Sequence, residues 1–210
     1  MFATEAQRGG AAAAPAALVR ALAAAWNAPC DDGQIAALSR YAETLLRWNA
    51  RINLTAARSI DVLVGEHFPD AFALARKLEQ PARVIDVGSG GGLPAIPLAL
   101  LRPGLAFELC EPIAKKAAFL RTAIRELGLG DRASVRLVRG EAVAKETPRA
   151  FDVAISRATL APAKWLVLGG KLVRAGGRVF ALTAADALPE EPNRELYFDG
   201  RRALIEVASP

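Results

Sequence analysis

The sequence predicts an α/β protein: a mostly parallel sheet with an N-terminal helical extension and a C-terminal antiparallel hairpin. Three observations carry this expectation. The run RVIDVGSGGG at 83–92 is a short apolar, β-branched strand that stops abruptly in glycine, as a buried parallel strand does when it feeds a tight turn into a helix. From 83 to 182 strand-like and helix-like runs alternate, which implies right-handed βα units. Near the end, Asp199-Gly200 separates strand-like runs at 196–198 and 203–207, a strong hairpin signal.

The elements follow in order. Residues 1–10 are polar and glycine-containing and are expected to be disordered. A first helix is expected over 16–27, with Leu18, Leu22 and Trp26 on one side and Pro29 ending it. A second, over 34–48, has Asp31 or Asp32 as N-cap and Ile35, Leu38, Tyr41, Leu45 and Trp48 as its apolar face. The stretch from Trp48 to Thr55 interrupts the helical period and reads as a connector, with Asn53 or Thr55 available to organise it. A third helix is expected over 61–78; it carries the single histidine, His67, read as a packed residue without metal partners. Residues 1–80 thus form a helical extension packed on a domain spanning 81–210. Within that domain strands are expected at 83–87, 105–110, 134–138, 151–155 and 178–182. Helices are expected at 96–101, 113–127 and 164–172, the second with Ile113, Ala117, Leu120, Ile124 and Leu127 inward and Gly128 as C-cap.

Composition limits the function classes. A chain of 210 residues, 52% hydrophobic and 23% charged, can bury one full α/β core plus an extra segment. No apolar run approaches the roughly 18 residues of a membrane span, and two cysteines, Cys30 and Cys110, make neither a disulfide framework nor a metal site. A reducing cytoplasm, no membrane, no metal and a monomeric state are expected. The net charge is +5. Residues 1–80 are balanced, with eight basic and eight acidic side chains, so the excess belongs to 81–210. Lys115, Lys116, Arg121, Arg125, Arg132, Arg136 and Arg139 face only Glu126 and Asp131 in their stretch, a cluster suited to a polyanion such as RNA or to a solvated helix face.

The glycine turn carries the chemistry. A dinucleotide fingerprint needs a third glycine at Leu93, and that position is filled. What remains, Asp86 followed by Gly88-Ser89-Gly90-Gly91-Gly92, resembles motif I of the class I methyltransferases, which have a Rossmann-like fold. That resemblance implies S-adenosyl-L-methionine, with the acidic residue toward its methionine end. Glycine removes every Cβ from the turn, so a ligand can lie against the backbone. Ligands of open parallel sheets bind at the carboxyl ends of the strands. Glu111 ends the second strand at the spacing of a carboxylate that takes ribose hydroxyls, Gly140-Glu141-Ala142 ends the third, and Ser156-Arg157 ends the fourth, where a single arginine can hold a phosphate or a base edge. No Asn-Pro-Pro-Tyr-like run follows the fourth strand, no cysteine stands there as a nucleophile, and no paired carboxylates provide a base. An acceptor that needs no deprotonation, such as guanine N7, is compatible with that inventory.

Together the residues resemble one family: the bacterial 16S rRNA (guanine-N7) methyltransferase G, or glucose-inhibited division protein B. The resemblance rests on WNARINLTA (48–56), EHFPDAF (66–72), DVGSGGGLPAIPLALLRP (86–103), KKAAFLRTAIRELGL (115–129), GEA (140–142), SRA (156–158) and GGRVFAL (176–182). It implies methyl transfer from S-adenosyl-L-methionine to guanine N7 of 16S rRNA, in the 30S subunit or its precursor. It also implies donor contacts from Asp86, Gly88, Ser89, Gly90, Leu93, Glu111, Pro112, Glu141, Ala142 and Arg157, RNA contacts from Asn53, Lys115, Lys116, Arg121 and Arg157, and a catalytic role for Arg157. The chain departs from the family's usual pattern at Leu93 and Ala95 (Phe-Pro-Gly), Thr159 (Phe) and Thr183-Ala184 (Lys-Gly). A small-molecule methyltransferase on the same fold and a non-catalytic RNA-binding or ribosome-assembly protein stay open as alternatives.

Overall fold

The computed structural model describes residues 14–157, 159–186 and 193–209, so the expectation for 1–10 lies outside the described residues. Helix α1 (Pro15–Ala25) opens on proline, whose missing N–H costs nothing in a first turn. Helix α2 (Asp32–Asn49) begins with a capping box: Asp31 accepts from the Gln34 backbone N–H, and the Gln34 side chain accepts from that of Asp31. The expected third helix is broken. A short turn α3 (Ile60–Val62) widens into a π-helical segment, Leu63–His67, before α4 (Pro69–Lys77). Pro69 has no N–H and fixes its own φ, so a continuous α-helical ladder cannot pass through it.

The sheet then assembles from β1 (Ala82–Val87), β2 (Leu105–Cys110), β3 (Ala133–Arg136), β4 (Phe151–Arg157), β5 (Val173–Ala184), β6 (Arg194–Tyr197) and β7 (Arg202–Ala208). Its order is β3-β2-β1-β4-β5-β7-β6. The first five strands are parallel, and β7 pairs antiparallel to both β5 and β6, forming the expected hairpin with β6. Four helices belong to this part: α5 (Ala95–Leu101), α6 (Ala114–Glu126), α7 (Gly140–Glu146) and α8 (Pro162–Leu172). The 140–142 turn is therefore the first turn of a helix. The expected strand at 134–138 ends at Arg136, with Leu137 exposed, whereas the fifth strand runs well past 178–182 at both ends. Ile113, expected inward, is exposed, and Phe119 and Ala123 fill the buried face of α6 instead.

Alternate strand residues face two apolar layers. Val84, Leu109, Ile155 and Phe180 pack with Val19, Leu38, Tyr41, Phe72, Leu98 and Leu120, so the N-terminal helices share one core with α5 and α6. Ile85, Val87, Ala154 and Val179 pack against Val143 of α7 and Trp165, Leu168 and Leu172 of α8. Gln34 Nε2 adds a polar tie, donating to the carbonyls of Leu100 (3.0 Å) and Leu101 (3.2 Å) at the C-terminus of α5.

The connector after α2 is organised by Asn49 together with Thr55, and not by Asn53, which is exposed. Asn49 is buried; its Nδ2 donates to the carbonyls of Thr55 and Ala57 at 3.0 Å, and its Oδ1 accepts from the N–H groups of Leu54 (2.9 Å) and Thr55 (3.1 Å). Thr55 Oγ1 accepts from the Ala57 N–H at 3.2 Å. Asn49→Ala strands several buried backbone groups and is expected to cost about 2–3 kcal/mol, a fall in Tm on the order of 4–10 °C for a chain of this size. Thermal denaturation checks this, and hydrogen exchange should show lost protection at Leu54 and Thr55.

Candidate active site

Because β1, β2 and β4 run parallel, Val87, Cys110 and Arg157 end at one edge of the sheet. The turn after β1 is sewn to both neighbours. Gly88 and Ser89 donate backbone N–H groups to Cys110 O at 2.9 and 3.2 Å, while Ser156 Oγ and Thr159 Oγ1 donate to Val87 O at 2.9 and 3.2 Å. Ser89 is buried and donates its hydroxyl to Asp86 O at 3.0 Å.

The glycines of this turn divide into two kinds. A Cβ on Gly88 would lie 2.2 Å from Thr159 Oγ1, one on Gly91 would press on Leu45 and Leu54 at 3.1 Å, and one on Gly92 would meet Ile96 at 2.6 Å. The protein's own packing requires Gly88 and Gly92 and leaves little room at Gly91. Gly90 is different: among the described residues, the only heavy atom near its added Cβ is Gly88 O at 3.8 Å, and its φ of +55° still favours glycine. Of the four glycines, Gly90 is the one whose Cβ position is open among the described residues. From the helical side, Tyr41, itself fully buried, donates its hydroxyl to Gly91 O at 2.6 Å. That residue was legible in the sequence only as part of an apolar face.

Two buried carboxylates flank Gly90. Asp86 is 1% exposed, and its Oδ2 accepts no hydrogen bond among the described residues. Burial raises its pKa to about 7, opposed by the Ser89 hydroxyl and the Arg157 charge and reinforced by Glu111. Glu111 is also buried, and each of its oxygens takes a backbone donor: Oε2 from Gly90 N and Oε1 from Ile113 N, both at 2.8 Å. Each keeps a second lone pair. The carboxylate expected for a ribose thus also fixes the turn.

The remaining expected residues distribute as follows. Leu93 is buried beneath the turn, Pro112 and Glu141 are exposed, and Ala142 is half-buried in α7. Gly140 is needed for close packing, since its Cβ would stand 2.6 Å from Val87 Cγ1. Lys115 and Arg121 are exposed and Lys116 half-exposed along α6. The basic cluster is smaller than its count suggests, because Arg136 is ion-paired with Glu108 (3.0 Å) and with Glu146, and Arg132 donates to Leu105 O at 3.3 Å.

Arg157 lies on the Asp86 face of the sheet. Its Nη1 donates to His67 Nδ1 at 2.9 Å and to Asp70 Oδ2 at 3.2 Å. His67 Nε2 stands 3.4 Å from Thr55 Oγ1. Burial, with the charges of Arg157 and Arg202 against that of Asp70, lowers the His67 pKa to about 4, so the imidazole is neutral near pH 7. Its acceptor nitrogen is engaged by Arg157, which takes it out of use as a general base. Asp70 was missed in the sequence; its one signal there is a lone acid in an otherwise apolar helical run, PDAFALA. Among the described residues, no three His, Cys, Asp or Glu side chains group as metal ligands, and no helix is long and apolar enough to cross a membrane.

Comparison with known proteins gives the family. The family described as rRNA small subunit methyltransferase G matches residues 34–199. The ribosomal RNA small subunit methyltransferase G of Anaeromyxobacter sp. (strain Fw109-5) is 37% identical over 172 residues, 82% of this chain and 79% of that protein. Its namesake in Xanthomonas campestris pv. campestris (strain B100) is 41% identical over 172 residues, 81% of this chain and 79% of that one. Among solved structures, a putative O-methyltransferase from Klebsiella pneumoniae aligns with a TM-score of 0.60 at 16% identity, covering 92% of this chain and 96% of that chain. TYW2 of P. horikoshii in complex with MeSAdo aligns at 0.52 and 14% identity, covering 67% and 61%. At such identities these two show the fold alone, that of the class I methyltransferases. On the match across 34–199 and on relatives of this identity and coverage, the chain belongs to the rRNA small subunit methyltransferase G family.

Proposed function

We propose that the protein transfers a methyl group from S-adenosyl-L-methionine to N7 of a guanine in 16S rRNA. The observation that carries the donor half is the buried, unpartnered Asp86 Oδ2 beside the open backbone at Gly90. A carboxylate held at such a place suits a cationic ligand, because the ligand's charge offsets the cost of ionising it in a dry site. On this reading Asp86 holds the methionine end of the donor, Gly90 admits it against the backbone, and the free lone pairs of Glu111 take the ribose hydroxyls. The bound donor supplies an electrophilic methyl on a sulfonium.

The protein's own residues have little proton chemistry to perform. Guanine N7 carries its lone pair already and loses no proton on alkylation, so the work left is orientation and exclusion of water. Arg157 is the acceptor-side residue in this account. Its Nη1 is committed to His67 and Asp70, and its other donors can hold a phosphate or a base edge. Lys115, Lys116 and Arg121 supply exposed positive charge for the RNA backbone, which makes binding salt-dependent.

Two predictions test this reading. Donor affinity measured by calorimetry should weaken on the order of tenfold from pH 7.5 to pH 6 as Asp86 takes up a proton, and Asp86→Asn should bind weakly with no such slope. A flat profile in the wild type would remove Asp86 from the donor site. Gly90→Arg should lower donor affinity by more than roughly 100-fold with the fold retained by circular dichroism, whereas Arg157→Ala should keep donor affinity and lose turnover. Unchanged methylation by Arg157→Ala would exclude that residue from the mechanism.

A further inference from the structure

The least expected feature of the site lies behind Arg157. Asp70, on α4, is 1% exposed and collects three donors from two distant parts of the chain, β4 and the C-terminal hairpin. Its Oδ1 accepts from Tyr197 Oη at 2.7 Å and from Arg202 Nη1 at 2.6 Å, and its Oδ2 from Arg157 Nη1 at 3.2 Å. Tyr197 ends β6 and Arg202 opens β7, so both strands of the C-terminal hairpin reach the same carboxylate. The Phe198 ring of the connecting turn lies under the guanidiniums of Arg201 and Arg202, at 4.2 and 5.4 Å.

A buried carboxylate is costly unless paired, and a pair between one aspartate and one arginine would have sufficed. The arrangement here does more than neutralise charge. A guanidinium offers five N–H donors, two of them on Nη1. His67 Nδ1 and Asp70 Oδ2 accept from that one nitrogen, so the fork is gripped at a single corner. Its other three donors, on Nε and Nη2, make no hydrogen bond among the described residues. A side chain pinned in this way is pre-oriented, which reduces the ordering cost at the moment a ligand is met.

We propose that Asp70 is the positioning residue of Arg157, and that through Tyr197 and Arg202 the C-terminal hairpin takes part in setting the acceptor arginine. The inference rests on Arg157 acting on the acceptor side, and its test is built to separate the two. Single-turnover methylation of 30S particles at saturating donor would compare wild type, Asp70→Asn, Tyr197→Phe, Arg157→Ala and the Asp70→Asn/Arg157→Ala double variant. Asp70→Asn should slow transfer at least roughly tenfold with donor affinity unchanged. The double variant should be no slower than Arg157→Ala alone, because Asp70 acts through the residue already removed. Losses that multiply in the double variant would show a merely structural role and overturn the proposal.

Tyr197→Phe removes one hydroxyl, leaves the ion pairs in place, and covers the case in which Asp70→Asn fails to fold. It should slow transfer about threefold or more; an unchanged rate would take the hairpin out of the device. The single histidine gives a readout independent of activity. Nitrogen-detected NMR of the imidazole should show the Nε2–H tautomer in the wild type, loss of that lock with a raised pKa in Arg157→Ala, and a partial loss in Tyr197→Phe. If no variant or wild type transfers methyl, the proposed function fails, yet the imidazole still decides the positioning: a tautomer and titration untouched by Tyr197→Phe and Asp70→Asn would refute it.

Discussion

Two carbonyl oxygens at the edge of the sheet, Val87 O and Cys110 O, hold the site together. They receive the turn that follows β1 and the hydroxyls of Ser156 and Thr159, so the backbone between Asp86 and Gly92 is fixed to β2 on one side and β4 on the other. Without that stitching, Gly90 would have no reason to keep its positive φ, and Glu111 could not reach its N–H. The parallel register places Asp86 opposite both Leu109 and Ile155, and the acidic end of β1 and the basic end of β4 thereby share one face.

Electrostatics on that face is a balance of few charges. Asp86 is held near its titration point by burial, while the neighbouring Arg157 opposes that shift. Arg157 is in turn neutralised by Asp70, which also answers Arg202. His67 stays neutral chiefly because it is buried, with the charges of Arg157 and Arg202 adding to that effect. The basic excess of the C-terminal part therefore splits into three uses: ion pairs within the fold, as at Arg136, the guanidiniums around Asp70, and the exposed cations of α6.

What was legible in the sequence was what local pattern encodes. The strand-to-glycine turn, the acid at its head, the Asp31 cap and the Asp199-Gly200 hairpin each lie within a dozen or so residues, and each is found near its expected place. Most of what the sequence did not show depends on distant contacts. Three of the four glycines in the turn are explained by Thr159, Leu54 and Ile96, and Gly140 by Val87. The partners of Asp70 are 87, 127 and 132 residues away, beyond any periodicity argument. The helix expected over 61–78 is different: Pro69, which cannot join the ladder, is a local signal within an apolar period that continues on either side of it.

The donor site, the base-free inventory and the pinned arginine converge on one claim, that guanine N7 of 16S rRNA receives the methyl. The measurement that tests it most directly is transfer from methyl-labelled S-adenosyl-L-methionine to unmethylated 16S rRNA and 30S particles, followed by digestion and identification of the labelled nucleoside. The account predicts label in 7-methylguanosine at a single position. Label in any other nucleoside, or tight donor binding with no label in rRNA, would contradict it.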